Sequence, residues 1–123
     1  MAKKKVLAVL EDLLFTVKIS EAAKRSGLDV EFLKSEQDTL EKAKERPLLI
    51  IIDLNCNCVE PLQLIEKLKG DPETKPISVI AYLSHVQGEL KQAAQEAGAN
   101  IVMARSAFSQ NLQQIMKRHA GVV

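Results

Sequence analysis

The chain has 123 residues, with 17 Lys and Arg against 16 Asp and Glu, 46% hydrophobic residues and 2 cysteines. That length supplies the core of a single domain, expected to span residues 1–123, with little left for a second. A net charge of +1 with the two signs interspersed offers no field for nucleic acid or an anionic membrane, and no apolar stretch approaches the roughly 20 residues that cross a bilayer.

The Lys3, Lys4, Lys5 start reads as a solvated strand entry and lacks the apolar region of a secretion signal, so a cytoplasmic location is expected. Cys56 and Cys58 are too close together to close a useful structural loop, and they fit a reducing compartment better than a disulfide framework.

Val6 to Leu10 is a first β-rich run. A helix is predicted from about Asp12 to Arg25, stopped at Ser26 and Gly27, because glycine accepts the left-handed conformation cheaply. Leu28, Val30 and Phe32 alternate with Asp29 and Glu31, which predicts a strand with one wet face at a sheet edge. A weaker helix from about Gln37 to Lys44 leads to Pro47 and to the run Leu48, Leu49, Ile50, Ile51, Ile52. Such an unbroken run suits a central strand of a parallel sheet, buried on both faces, and Asp53 is the first charge after it.

Pro61, Leu64, Ile65 and Leu68 fall on one helical face before Gly70, with the proline where its missing N–H is harmless. Asp71 to Lys75 form a polar connection into a strand from Ile77 to Leu83. Leu90, Ala93, Ala94 and Ala97 repeat the helical spacing before Gly98, and His85 is expected to begin that helix. Ile101 to Ala104 make a short last strand. Phe108, Leu112, Ile115 and Met116 mark the closing helix, where His119 suits the C-terminal end.

Five β-rich runs, each followed by a helix, predict an α/β fold of the flavodoxin-like type, a doubly wound parallel sheet of order 2-1-3-4-5. Sites in open sheets of this kind collect at the carboxyl ends of the strands. There Leu10 with Glu11, Asp53 with Asn55, and Leu83 with Ser84 are expected to line one shallow pocket, within reach of Arg105.

With these segments the chain resembles the receiver domains of bacterial two-component response regulators over nearly its whole length. "KVLAVLED" places Leu10 and Glu11 on the acidic pair that ends the first strand of such receivers. "LLIIIDLN" places Asp53 on the phosphate-accepting aspartate and Asn55 on the residue whose backbone carbonyl binds magnesium. "PISVIAYLS" places Leu83 on the hydroxyl position and Ser84 on the small residue after it. "AGANIVMARS" places Arg105 on the family's lysine, Ser106 on its proline and Val102 on its aromatic switch position.

The resemblance implies Mg2+ on Glu11, Asp53 and the Asn55 carbonyl. It implies a signalling partner, a histidine kinase or a downstream effector, and is compatible with a weak homodimer; neither nucleic acid nor membrane is implied. The docking face it implies is formed by the fourth helix, fifth strand and fifth helix, with Gln87, Lys91, Gln95, Arg105 and Gln114 as candidate contacts.

The departures from the family pattern have physical consequences. Leu10 removes an acid and Glu11 is a methylene longer than the usual aspartate, so metal affinity falls. Leu83 cannot donate the hydrogen bond a phosphoryl oxygen needs, and the planar fork of Arg105 does not replace a compact ammonium. Without proline at Ser106 a cis bond costs roughly 3–4 kcal/mol, so a trans bond is expected. Leu83 and Val102 also lack the hydroxyl and the ring through which receivers switch.

The chain is therefore expected to be a non-enzymatic pseudo-receiver that acts by protein–protein interaction. One alternative is a working phosphoacceptor using Asp53 and Mg2+; another is a flavodoxin-like binder of a small anion or nucleotide, although "LEDLLF" has no glycine with which to cradle a phosphate. Asp53 also reads as a strand-end carboxylate that caps a loop or pairs with Arg105. Cys56, Asn57 and Cys58 read as small loop residues, because two thiolates fall short of a tetrahedral metal set.

Overall fold

The computed structural model describes residues 4–84 and 88–121, so His85 and Gln87 lie outside the described residues. In chain order the elements are β1 Lys5–Val9, α1 Leu13–Arg25, β2 Asp29–Leu33, α2 Glu36–Ala43, β3 Leu49–Asp53, α3 Pro61–Gly70, β4 Ser78–Leu83, α4 Gly88–Ala97, β5 Ile101–Ala104 and α5 Arg105–Ala120. The strands form one five-stranded parallel sheet of order β2-β1-β3-β4-β5, as the alternation of elements predicts.

Alternation along each strand divides the core into two layers. Val6, Ala8, Leu49, Ile51, Ile80 and Tyr82 face α1 and α5, where Phe15, Ile19, Phe108, Leu112 and Met116 meet them. Leu7, Val9, Ile50, Ile52, Val79 and Ala81 face the other way, onto Leu64, Ile65 and Leu68 of α3 and Ala94 of α4. The central strand is buried from Leu49 to Ile52, which is why no polar residue interrupts its sequence. Each of its fully buried isoleucines stabilises the fold by about 1.5–3 kcal/mol relative to an exposed one.

Local chemistry starts and ends the helices. Asp12 caps α1: its Oδ1 accepts from the N–H groups of Leu14 (2.9 Å) and Phe15 (3.3 Å). Ser35 caps α2 by accepting from Asp38 N–H at 3.1 Å, and Pro61 opens α3. Gly98 ends α4 at φ 116°, where a Cβ would come within 2.7 Å of the Lys69 side chain, so the turn into β5 excludes larger residues twice over. Among the described residues no peptide bond is cis, and none of the helices is long and apolar enough to cross a membrane.

Candidate functional site

Because the strands run parallel, β1, β3 and β4 end at one edge of the sheet, and the loops leaving that edge hold the candidate residues. Asp53 closes β3 in register with Tyr82 of β4. It is half-buried, and its Oδ1 accepts from the Asn55 N–H at 2.8 Å, which folds the loop back on itself. Burial pushes the Asp53 carboxyl above the usual carboxylate range; the charge of Glu11 adds to that, and the Asn55 N–H opposes it. Asn55 Oδ1 accepts from Ser84 N–H at 2.7 Å, tying the loop after β3 to the end of β4. The tertiary structure thus brings Glu11, Asp53, Asn55 and Ser84 into one neighbourhood.

The other expected pocket residues are placed differently. Leu10 and Leu83 are each 1% exposed and belong to the cores on opposite sides of the sheet, so neither offers a surface to a ligand. Val102 is buried beside Leu83's layer.

Arg105 is the clearest correction. It begins α5, and its guanidinium pairs with Asp12 and lies 4.6 Å from the centre of the Phe15 ring, with no ion pair to Asp53. A planar cation prefers this arrangement, a carboxylate at its edge and an aromatic face beneath it, over the far side of the cavity. Arg105 and Ser106 line a groove of about 440 Å3 with Leu14, Phe15 and Lys18 of α1, and Ser84 borders both this groove and the loop after Asp53.

Tyr82 stands behind Asp53 on the same side of the sheet. Its ring stacks on Phe108 with centroids 4.6 Å apart and planes 8° from parallel, and lies 5.2 Å from Phe15. Among the described residues its hydroxyl has no hydrogen-bond partner, and burial, reinforced by the Asp53 charge, holds it strongly in the neutral form. Two-residue periodicity from Ile80 marks Tyr82 as an inward residue; its partner rings are not readable from local sequence.

The cysteines overturn the expectation of free thiols: Cys56 and Cys58 form a disulfide, and no described cysteine is free. The loop turns back after Asp53, whose carbonyl accepts from the Cys56 N–H at 3.1 Å, and this brings the two Cα atoms to 5.6 Å, within disulfide range despite a separation of only 2 residues. Cys56 Sγ also lies 3.6 Å from Glu11 Oε1 on the neighbouring loop. Sequence separation alone hides this contact between residues 45 apart.

One further surface was missed. Leu13, Leu14 and Val17 are 79%, 61% and 55% exposed on α1. The signal was present, since Phe15, Ile19, Ala22 and Ala23 define the buried face of that helix and leave these three outside it.

No family model matches the sequence, and no curated protein matches it. The solved structures do match. CheY4, a chemotaxis response regulator of Vibrio cholerae, superposes with a TM-score of 0.80 at 21% identity, over 96% of this chain and 99% of that one. The chain has the receiver fold. The receiver domain of the sensor histidine kinase PA1611 from Pseudomonas aeruginosa, which holds a magnesium ion in its active-site cleft, matches with a TM-score of 0.80 at 19% identity, over 98% of this chain and 99% of that one. The phosphorylated cyanobacterial phytochrome response regulator RcpA matches with a TM-score of 0.79 at 23% identity, over 95% and 91%. Asp53 closes β3, while the leucines that follow β1 and close β4, Leu10 and Leu83, are buried.

Proposed function

We propose that the chain is a receiver-type module of a two-component signalling system, and that it is a pseudo-receiver: it passes on its signal by binding another protein and not by accepting phosphate. The observation that carries this reading is the withdrawal of the cavity's cation. Arg105 is held by Asp12 over Phe15, and Leu83 contributes no hydroxyl. Phosphoryl transfer to a carboxylate depends on donors preorganised around the charge on the phosphoryl oxygens, and those two positions would have supplied them.

Glu11, Asp53 and the Asn55 carbonyl remain as the oxygen minimum that would hold Mg2+, and two carboxylates of like charge beside each other favour a cation between them. When bound, the ion would neutralise that charge. Leu10 supplies no oxygen to it, so binding is weak.

The partner is a histidine kinase or a downstream effector. Lys91 and Gln95 of α4 and Gln114 of α5 are exposed, and Ile101 of β5 is 39% exposed between those helices, giving an apolar centre with a polar rim. Arg105 leaves this list, because it turns to α1. The small-anion alternative has less support, since Asp12 already neutralises Arg105 at the mouth of the groove.

Incubation of the chain with acetyl phosphate and Mg2+, read by intact mass, tests the proposal. The expected result is no phosphoryl adduct on either the parent chain or Asp53→Asn. An adduct on the parent that disappears in Asp53→Asn overturns the pseudo-receiver reading.

A further inference from the structure

We propose that Glu11, Cys56 and Cys58, once the disulfide is reduced, bind one thiophilic divalent cation of the zinc class. The site shares Glu11 with the oxygen set at Asp53, but its other donors are sulfurs on the loop beyond that residue. One ligand atom from each of the three residues lies within 4.8 Å of the others. Zinc binds thiolate at about 2.3 Å and carboxylate oxygen at about 2.1 Å, so around a tetrahedral centre a sulfur and an oxygen ligand sit about 3.6 Å apart and two sulfurs about 3.8 Å apart. Cys56 Sγ is already 3.6 Å from Glu11 Oε1. Reduction frees the sulfurs to take up the second spacing.

The surroundings favour the same ligand class. Cys58 N–H points at Cys56 Sγ at 3.3 Å, a donor that supports negative charge on that sulfur. Cys56 is buried, Cys58 is half-buried and Glu11 is exposed, so the cluster is anchored inside and open outside, with room for water as fourth ligand. Once bound, two thiolates and a carboxylate set three negative charges around the divalent cation, which replaces the two thiol protons. Thiolates select soft or borderline metals, whereas Mg2+ demands oxygen. The cluster therefore discriminates against the ion seen in the Pseudomonas receiver domain.

Binding is gated by oxidation. A dithiol reductant transfers two electrons to the Cys56–Cys58 bond, giving two thiols and the reductant's own disulfide. Each thiol then releases one proton to solvent as its metal–sulfur bond forms. The disulfide has no thiolate to offer, so the oxidised chain lacks the site.

The test is anaerobic titration of the reduced chain with Co2+, followed by displacement with Zn2+. The expected result is one Co2+ per chain, a thiolate-to-cobalt charge-transfer band, displacement by Zn2+ and none by excess Mg2+. Cys58→Ser should cut the band, and Glu11→Gln, at an exposed position that leaves folding intact, should weaken affinity by at least about tenfold. Asp53→Asn should keep the charge-transfer band and the stoichiometry of one Co2+ per chain, because its carboxylate is not one of the three ligands. A reduced chain without the band, equal uptake by the oxidised chain, full affinity in Glu11→Gln, or loss of binding in Asp53→Asn each overturns the proposal. None of these outcomes bears on the phosphoryl adduct, so this inference and the pseudo-receiver reading fail separately.

Discussion

Asp12 and Asp53 sit at the same edge of the sheet, one opening α1 and the other closing β3, yet their surroundings differ in kind. Asp12 caps two backbone N–H groups and pairs with Arg105, which in turn lies on Phe15. Asp53 has one backbone N–H for its Oδ1, partial burial and the like charge of Glu11. Arg105 is paired with the helix cap, so favourable contacts gather at Asp12, while Asp53 keeps the like charge of Glu11. A carboxylate in the first setting stabilises the fold; one in the second is available to a ligand.

The largest break in that contrast comes from removing the platform beneath Arg105. Phe15→Ala deletes a buried ring that meets both Tyr82 and Phe108, and should cost about 3–5 kcal/mol in urea unfolding. A loss below about 1 kcal/mol would mean that the aromatic layer does not organise this end of the sheet.

A smaller effect separates cap from ion pair. Asp12→Ala should lose about 1–2 kcal/mol, the usual worth of an N-cap. Asp12→Asn keeps the cap and removes only the half-exposed pair to Arg105, so it should lose less than about 1 kcal/mol. Equal losses in the two variants would assign the stabilisation to the pair.

Asp53→Asn should show the smallest effect and the opposite sign. The carboxyl of Asp53 is raised in the folded chain, so the folded state holds its proton more tightly than the unfolded state does. Its contribution is fully present below the ordinary carboxylate pKa and is lost as pH rises through the folded value. In chelator-treated protein, Asp53→Asn should therefore be at least as stable as the parent at pH 7, with the parent gaining on it as pH falls through the carboxylate range. Denaturant midpoints of both proteins across pH 3 to 7 check this, and a parent more stable at neutral pH would place Asp53 in a favourable contact like that of Asp12.

The strand order was legible because burial on two faces writes an unbroken apolar run, as in Leu49 to Ile52, while edge exposure writes an alternation, as in Leu28 to Phe32. The position of Asp53 followed, since the first charge after such a run lies at the sheet edge. The sequence does not place Arg105 because its alternatives, Asp53 and Asp12, are both remote along the chain, and only the packing of α1 against α5 decides between them. The disulfide was missed for a related reason: spacing says how many residues separate Cys56 from Cys58, whereas the turn after Asp53 sets their distance.

By itself the sequence determined the succession of elements, the two-faced burial of β3 and the strand-end position of Asp53, because each follows from local periodicity and from the free energy of burying apolar surface. Only the tertiary structure decided which charge Arg105 meets, that Glu11 stands against Cys56, and that Leu10 and Leu83 retreat into opposite cores. Those outcomes depend on the angles at which helices and loops leave the sheet, and such angles are set by packing between residues far apart in the chain.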